Sequence, residues 1–170
     1  MTMASTPRSG PGTEGTPPPV ALDQVDRSLL GILAGDGRLP IAEVAARANV
    51  ARATAYNRLE RLRRTGVVRG FSVDVDPARA GLGIAALILV SGAQLRWRQL
   101  GATLQDLPEV EYAALVTGTE DLALLVRVAD MGTLRDFIFE RLQSVPGVKS
   151  TETLLVVEEL LRRPCVVPPP

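Results

Sequence analysis

Residues 40–64, PIAEVAARANVARATAYNRLERLRR, decide how this sequence is interpreted. Two runs of apolar residues within them have helical spacing, namely Ile41, Val44 and Ala45, then Ala55, Leu59 and Leu62. Pro40 suits the first turn of one helix, and Gly66 suits the end of the other. Asn49 lies between the two runs, and asparagine tolerates the left-handed backbone of a tight turn. Two short helices joined in this way are typical of a helix-turn-helix.

A third helix is predicted upstream of this pair. Residues 22–34 carry apolar side chains at close to helical spacing, with Asp23 as the N-cap and Gly35 at the end. Downstream, residues 67–75, VVRGFSVDV, alternate as a strand does. The sequence therefore predicts a helix-turn-helix domain over residues 20–70, followed by a β hinge or linker over residues 71–82.

Charge is distributed unevenly along the chain, although the formal net charge is zero. Residues 20–70 contain nine arginines and five acids, whereas residues 71–170 contain nine basic and thirteen acidic residues. Residues 51–70 alone carry six arginines and one acid, Glu60. A short basic element on an acidic body favours a DNA-binding domain joined to a separate assembly domain. The alternative for the arginines is a solvated helix face.

The helix over residues 51–64 supplies the candidates for DNA binding, because the start of this helix enters the major groove in a helix-turn-helix. Arginine pairs with guanine, asparagine with adenine, and small apolar groups contact the thymine methyl. The base-edge candidates are Arg52, which flanks the helix start, and Ala53, Thr54, Tyr56 and Asn57 on the outer face. Arginines farther along would bind phosphates, which orient the protein without reading the base sequence; they are Arg58, Arg61, Arg63, Arg64 and Arg69. Arg61 and Arg64 are assigned to the outer face.

The second half of the chain has a different pattern. Strands are predicted at 84–91, 110–117, 122–129 and 148–157, and helices at 97–107 and 134–145. The order β-α-β-β-α-β is the ferredoxin-like arrangement, so the fold class is α+β.

In that arrangement the first and third strands are central, and here both are apolar on both faces. Leu87 and Leu89 point away from Ile88, for example, yet all three are apolar. Two helices cover only one face of a four-stranded sheet, so the other face needs a cover. The same face of a second copy would form a symmetric dimer. In the alternative, residues 71–75 or the C-terminal tail fold over it.

Several function classes are disfavoured. The chain has no histidine and a single cysteine, Cys165, so the usual general base and a structural zinc site are missing. No phosphate-binding glycine motif occurs. We therefore expect no enzyme, no metal and no cofactor. No apolar run is long enough for a membrane helix. Proline-rich ends at 1–19 and 160–170 predict a disordered tail and a loose tail, and we expect a cytoplasmic protein.

Residues in both halves resemble the Lrp/AsnC family, the leucine-responsive and asparagine-synthesis regulators, also called feast/famine regulators. In the first half they are Leu22, Asp23, Asp26, Asp36, Gly37, Arg38, Val44, Ala45, Arg58, Arg61, Leu62, Gly66, Val67, Val68, Gly70 and Phe71. In the second half they are Pro108, Glu109, Val110, Gly118, Asp121, Leu124, Asp130, Phe137, Pro146, Gly147, Val148 and Thr153. The resemblance covers residues 22–159.

The resemblance implies a transcriptional regulator with a winged-helix-like DNA-binding domain and a ferredoxin-like domain, residues 83–159, that dimerises and senses an effector. It implies double-stranded DNA as partner, further assembly to tetramers or octamers, and an amino acid or related metabolite as effector. The family's effector site corresponds here to Gly118, Thr119 and Asp121. The alternative for these residues is an ordinary hairpin turn.

The sequence departs from the family at four positions that affect DNA recognition rather than the fold. They are Pro40, Asn49, Ala51 and Asn57, where serine, glycine, serine and arginine are usual. Two alternative functions remain: a regulator without an effector that organises DNA, and an enzyme on the same scaffold. Sirohaem decarboxylases resemble this family, but they rely on histidines, which this chain lacks.

Overall fold

The computed structural model describes residues 18–92 and 97–162. They form two compact units that divide between Asp74 and Val75. The expectations for residues 1–17, for Cys165 and for the tail beyond residue 162 lie outside the described residues.

The first unit contains the three predicted helices. They are α1 (Gln24–Gly35), α2 (Ile41–Arg47) and α3 (Arg52–Arg64). Leu29 of α1, Val44 and Ala45 of α2, and Ala55 of α3 are buried together as its core. Asn49 has a φ of 53°, in the left-handed region, and Gly66 follows α3 with a φ of 75°. The predicted helix-turn-helix geometry is confirmed.

The strand expected at residues 67–75 is not formed, so this prediction is wrong. Residues 69–76 have no regular secondary structure, and Val73 is 82% exposed. The alternating pattern is present, but a strand requires a neighbouring strand to accept its backbone hydrogen bonds. Phe71 nevertheless packs close to Gly37, in the loop between α1 and α2.

The second unit is a four-stranded antiparallel sheet with the strand order β2-β3-β1-β4. Its strands are β1 (Ile84–Gly92), β2 (Val110–Leu115), β3 (Leu122–Val128) and β4 (Val148–Leu155). Its helices are α4 (Trp97–Gln105) and α5 (Met131–Asp136), and α5 continues as a π-helical segment, Phe137–Leu142. The ferredoxin-like topology and the central positions of β1 and β3 are confirmed.

The second helix of this unit begins three residues before the predicted start at position 134. Asp130 is its N-cap, and its carboxylate accepts a hydrogen bond from the Thr133 backbone N–H. Met131 is also apolar and lies at helical spacing one turn before Leu134, but it is 53% exposed and does not mark the buried face from which the start was predicted. Capping by aspartate sets the true boundary.

The two faces of the sheet differ in burial. Alternate residues of the central strands form the core with both helices; they are Ala86, Ile88, Val90, Leu122, Leu124 and Val126. The residues between them form what we call the open face, whose apolar members are Leu87, Leu89, Ala123 and Leu125, with Tyr112 and Leu154 from the edge strands. Leu87 is 42% exposed and Leu154 is 45% exposed. At one edge of this face Arg127 pairs with Glu159 from the segment after β4, and Ala85 opposite it is 7% exposed, whereas Leu87, Tyr112 and Leu154 stay exposed.

Candidate DNA-binding helix and effector turn

Five side chains in the first two turns of α3 are exposed to solvent. Arg52, Ala53, Thr54, Tyr56 and Asn57 are all exposed, as the base-edge prediction requires. Ala55, between them, is fully buried and holds the helix on the core. This surface offers hydrogen-bond donors, an amide and small apolar groups at the end of the helix that a helix-turn-helix inserts into DNA.

The N-terminus of α3 has no side-chain cap. Ala51 occupies the N-cap position, and no side chain there accepts a hydrogen bond from the first turn. A helix begins with backbone N–H groups that lack partners within the helix, and its dipole favours negative charge at that end. The departure from the usual serine therefore leaves the first-turn backbone N–H groups of α3 without a side-chain acceptor.

Arg58 and Arg61 are engaged inside the protein. Both contact the carboxylate of Asp26 in α1, Arg58 at 3.1 Å and Arg61 at 2.5 Å. Arg58 also contacts Asp23 at 2.5 Å. The two arginine side chains are 30% and 35% exposed. Arg61, predicted on the outer face, lies at the contact with α1 instead, so that part of the prediction is wrong.

Asp26 is the centre of this arrangement and is 1% exposed. Burial acts to raise the pKa of its carboxyl, but hydrogen bonds, the strongest from Arg61, outweigh it and hold the pKa below its ordinary value. Asp26 also accepts a hydrogen bond from the Asp23 backbone N–H, and Asp23 accepts one from the Asp26 backbone N–H. This capping box begins α1.

Asp23 lies at the solvent side of the same arrangement. The hydrogen bond from Arg58 is the largest cause that lowers its pKa, which falls to about 2. Together Asp23, Asp26, Arg58 and Arg61 form what we call the Asp26 cluster. A surface cleft of 540 Å³ lies over it and is also lined by Asn57.

Of the other arginines in this unit, some form an ion pair with an acid on the same helix and some do not. Arg63 pairs with Glu60, and Arg47 with Glu43. Among the described residues, no ion pair to an acid is found for the exposed residues Arg38, Arg52, Arg64 and Arg69. These four arginines carry the uncompensated positive charge of the unit.

Gly118, Thr119 and Asp121, the candidate effector residues, lie together in the turn between β2 and β3, which we call the effector turn (residues 116–121). Gly118 and Thr119 are exposed, and Gly118 has a φ of 147°, which favours glycine. The Asp121 carboxylate accepts a hydrogen bond from the Gly92 backbone N–H at 2.9 Å. Its backbone N–H donates to the Val90 carbonyl. Asp121 thus ties the turn to the end of β1, a structural role that periodicity could not predict.

Sequence reasoning missed the role of Asp26. A signal was present, since Asp23 and Asp26 are three residues apart at the start of one helix, and Arg58 and Arg61 are three apart on another. Residues at this spacing share a helix face. A count of charges along the chain does not show which arginines pair with an acid inside the protein, as Arg58 and Arg61 do with Asp26.

No group of His, Cys, Asp and Glu in residues 18–92 and 97–162 could hold a metal ion. Within the same ranges, no helix is long and apolar enough to span a membrane.

A helix-turn-helix domain followed by a ferredoxin-like sheet domain defines a class of transcriptional regulators. Two family models match the chain, the AsnC-type helix-turn-helix domain over residues 22–63 and the Lrp/AsnC ligand-binding domain over residues 85–166. The chain belongs to the Lrp/AsnC family of transcriptional regulators.

Individual relatives agree with this assignment. The chain is 36% identical over 158 residues to the HTH-type transcriptional regulator AldR of Mycolicibacterium smegmatis. The match covers 89% of this chain and 92% of that protein. It is 38% identical over 137 residues to an uncharacterized HTH-type transcriptional regulator of Pyrococcus abyssi, with 81% of this chain and 87% of that protein covered. The crystal structure of a Neisseria meningitidis transcriptional regulator in complex with L-Met has a TM-score of 0.80 at 27% identity, covering 87% and 97% of the two chains.

Proposed function

We propose that this regulator binds double-stranded DNA sequence-specifically through α3 and does so as a homodimer. A small metabolite modulates the binding, and amino acids are the class of metabolite we propose. The observation that carries the proposal is the exposed start of α3, where Arg52, Thr54 and Asn57 are all accessible to solvent. Buried Ala55 anchors this part of the helix to the core. It therefore presents base-reading side chains on a rigid element.

Electrostatics supports DNA as the partner. Arg52, Arg64 and Arg69 are exposed and pair with no acid among the described residues. Each such arginine that binds a phosphate releases a counterion from the duplex, so binding weakens as salt rises.

The open face supports the homodimer. Leu87 is 42% exposed at the centre of the sheet, between Leu125 and Leu154 in the register. A contiguous apolar surface of this kind is unfavourable in water, and a second copy of the same face covers it symmetrically. A dimer would present two α3 helices to half-sites about one helical turn, or a multiple of it, apart.

The effector turn supports ligand binding. Thr119 is exposed beside Gly118, whose backbone leaves open space around its Cα. Turn N–H groups suit a carboxylate ligand, and the charge on Asp121 suits an ammonium group. The Neisseria relative in its L-Met complex shows what one similar protein binds, which makes L-methionine the first amino acid to test.

DNA binding is tested with duplexes that the wild-type chain enriches from a random library, titrated at several salt concentrations. We expect affinity to fall steeply with salt and Asn57→Ala to change the preferred sequence. Arg64→Ala, the matched control on the same helix, should weaken binding to all sequences alike. Equal losses on every sequence for both variants would refute the base-reading role of Asn57.

The dimer is tested by sedimentation of Leu87→Asp. We expect a monomer, because a buried unpaired carboxylate in the interface is strongly unfavourable. Leu115→Asp is the matched control, since Leu115 is 50% exposed but pairs with Leu122 on the helix-covered side. A dimer that survives Leu87→Asp would exclude the open face.

Effector binding is tested by thermal shift with each amino acid, since a ligand stabilises the folded state that it binds. Asp121→Asn keeps a side-chain oxygen for the Gly92 N–H but removes the charge. We expect the fold to persist and the shift to vanish. If no amino acid shifts the wild-type chain, the effector-independent DNA-organising function is favoured instead.

A further inference from the structure

Arg63 of α3 pairs with Glu60 on the same helix, and the other four basic residues of α3 fall into two sets that the sequence does not distinguish. Arg58 and Arg61 are held by acids of α1, whereas Arg52 and Arg64 pair with no acid among the described residues. The sets differ in what they can offer to DNA.

The Asp26 cluster is electrically neutral as a whole, with two arginines and two aspartates. Its central carboxylate is 1% exposed and accepts from both arginines as well as from a backbone N–H. A buried carboxylate that lost these donors would be strongly destabilised. Leaving Asp26 for a DNA phosphate would therefore be unfavourable for either arginine, and both should keep their contacts with Asp26.

The geometry of the cluster restrains α3. Arg58 and Arg61 are one helical turn apart, and both reach the same residue of α1. A single contact would permit the helix to turn about it, but two contacts on consecutive turns restrict both the rotation and the axial position of α3.

The restraint bears directly on a base-reading residue. Asn57 precedes Arg58 in the chain and lines the same cleft as Arg58 and Arg61. A small rotation of α3 would move the Asn57 amide away from the edge of a base, and bidentate contacts to bases depend on such alignment.

We propose that Asp26 is a positioning residue for DNA recognition: it holds Arg58 and Arg61 as internal struts that orient α3, and so leaves phosphate binding to the unpaired arginines. This inference rests on the proposed function, since it requires that α3 enters DNA. It replaces the sequence-based expectation that Arg58 and Arg61 are themselves phosphate contacts.

Two matched variants of the full chain test it, Arg61→Gln and Arg64→Gln, which make the same change on the same helix. Affinity is measured against salt on a duplex enriched by the wild-type chain and on an unselected duplex of equal length. Arg64→Gln should lower the slope of log affinity against log salt by about 0.9, the value for one lost phosphate contact. Arg61→Gln should leave the slope unchanged and reduce the preference for the enriched duplex about tenfold, as when one base contact is lost.

Asp26→Asn gives the complementary change. With the acid neutralised, Arg61 loses its acid partner while Arg58 keeps Asp23, so the salt slope should rise by up to about one contact's worth while the preference for the enriched duplex falls. If this variant is unfolded at the assay temperature, Asp23→Asn replaces it. Asparagine is an equally good N-cap, so α1 is kept while Arg58 is partly released, and we expect a smaller rise of the same sign.

The outcomes are distinguishable. Equal slope losses for Arg61→Gln and Arg64→Gln would make Arg61 a phosphate contact and overturn the inference alone. Unchanged slope and preference in the aspartate variant, with a lowered melting temperature, would reduce the cluster to a stabilising role and also overturn it. Failure of the wild-type chain to enrich any duplex would overturn the proposed function and this inference with it.

Discussion

Each of the two units contains an ionic cluster in which a central charge is held by two opposite charges, and the central charges of the two clusters have opposite signs. In the helix-turn-helix domain a buried aspartate, Asp26, is held by two arginines. In the sheet domain a nearly buried arginine, Arg127, whose side chain is 10% exposed, is held by Glu111 and Glu159, which we call the Arg127 cluster.

The two clusters differ in the sign of the charge that is buried at their centre. The Asp26 cluster encloses a carboxylate between two arginines that face α1, whereas the Arg127 cluster encloses a guanidinium between two acids. A short buried carboxylate also has no means of reaching water, whereas an arginine can extend its charged end along its flexible stem. The two centres should therefore respond differently when their partners are removed.

The largest effect is expected when Asp26 loses its side-chain partners. Arg58→Met with Arg61→Met leaves a buried, charged carboxylate, which should cost about 3–5 kcal/mol of unfolding free energy. Chemical denaturation monitored by circular dichroism measures the loss. Adding Asp26→Leu removes the unpaired charge, so the triple variant should recover much of the stability; no recovery would mean that lost packing, and not the buried charge, explains the loss.

A smaller effect is expected at the Arg127 cluster. Glu111→Gln with Glu159→Gln removes both acids and should cost only about 1–2 kcal/mol, because the arginine can reorient towards water and hydrogen bonds to neutral partners remain. The same denaturation experiment measures it. A loss equal to that of the double arginine variant would show that the length of the central side chain is unimportant, and the comparison would fail.

The smallest effect is a change in acid sensitivity. The hydrogen bond from Arg58 lowers the pKa of Asp23 to about 2, so the stabilisation is present at neutral pH and is lost as pH falls from about 4 towards 2. Thermal unfolding at pH 5, 4, 3 and 2 should show a falling midpoint that is less steep in Asp23→Asn. Asp74→Asn, at an exposed acid outside the cluster, is the control and should keep the wild-type slope.

Much of the fold was predictable because it is written in local patterns. The apolar spacing of the α3 run identified a helix, and Asn49 was correctly placed in a left-handed turn. The β-α-β-β-α-β order predicted β1 and β3 as the central strands, and both strands are apolar on both faces, as central strands often are. The strand prediction at 67–75 was wrong for the complementary reason: the alternating pattern is local, but a strand also needs a hydrogen-bonded neighbour, and the described residues supply none.

The candidate site was predictable only in part. Exposure of Thr54 and Asn57 follows from helical periodicity once Ala55 is known to face the core. The pairing of Arg61 with Asp26 does not, since the two residues are 35 positions apart and meet only when α1 packs against α3. The same holds for Asp121 and Gly92, which meet across the sheet.

By itself, then, the sequence determined the helices, the order and centre of the sheet, and the family, because periodicity and turn chemistry act between near neighbours. Only the tertiary structure decided which charged residues form ion pairs inside the protein, because an ion pair between distant residues depends on how whole elements pack. These ion pairs distinguish Arg58 and Arg61, which contact α1, from Arg52 and Arg64, which are exposed.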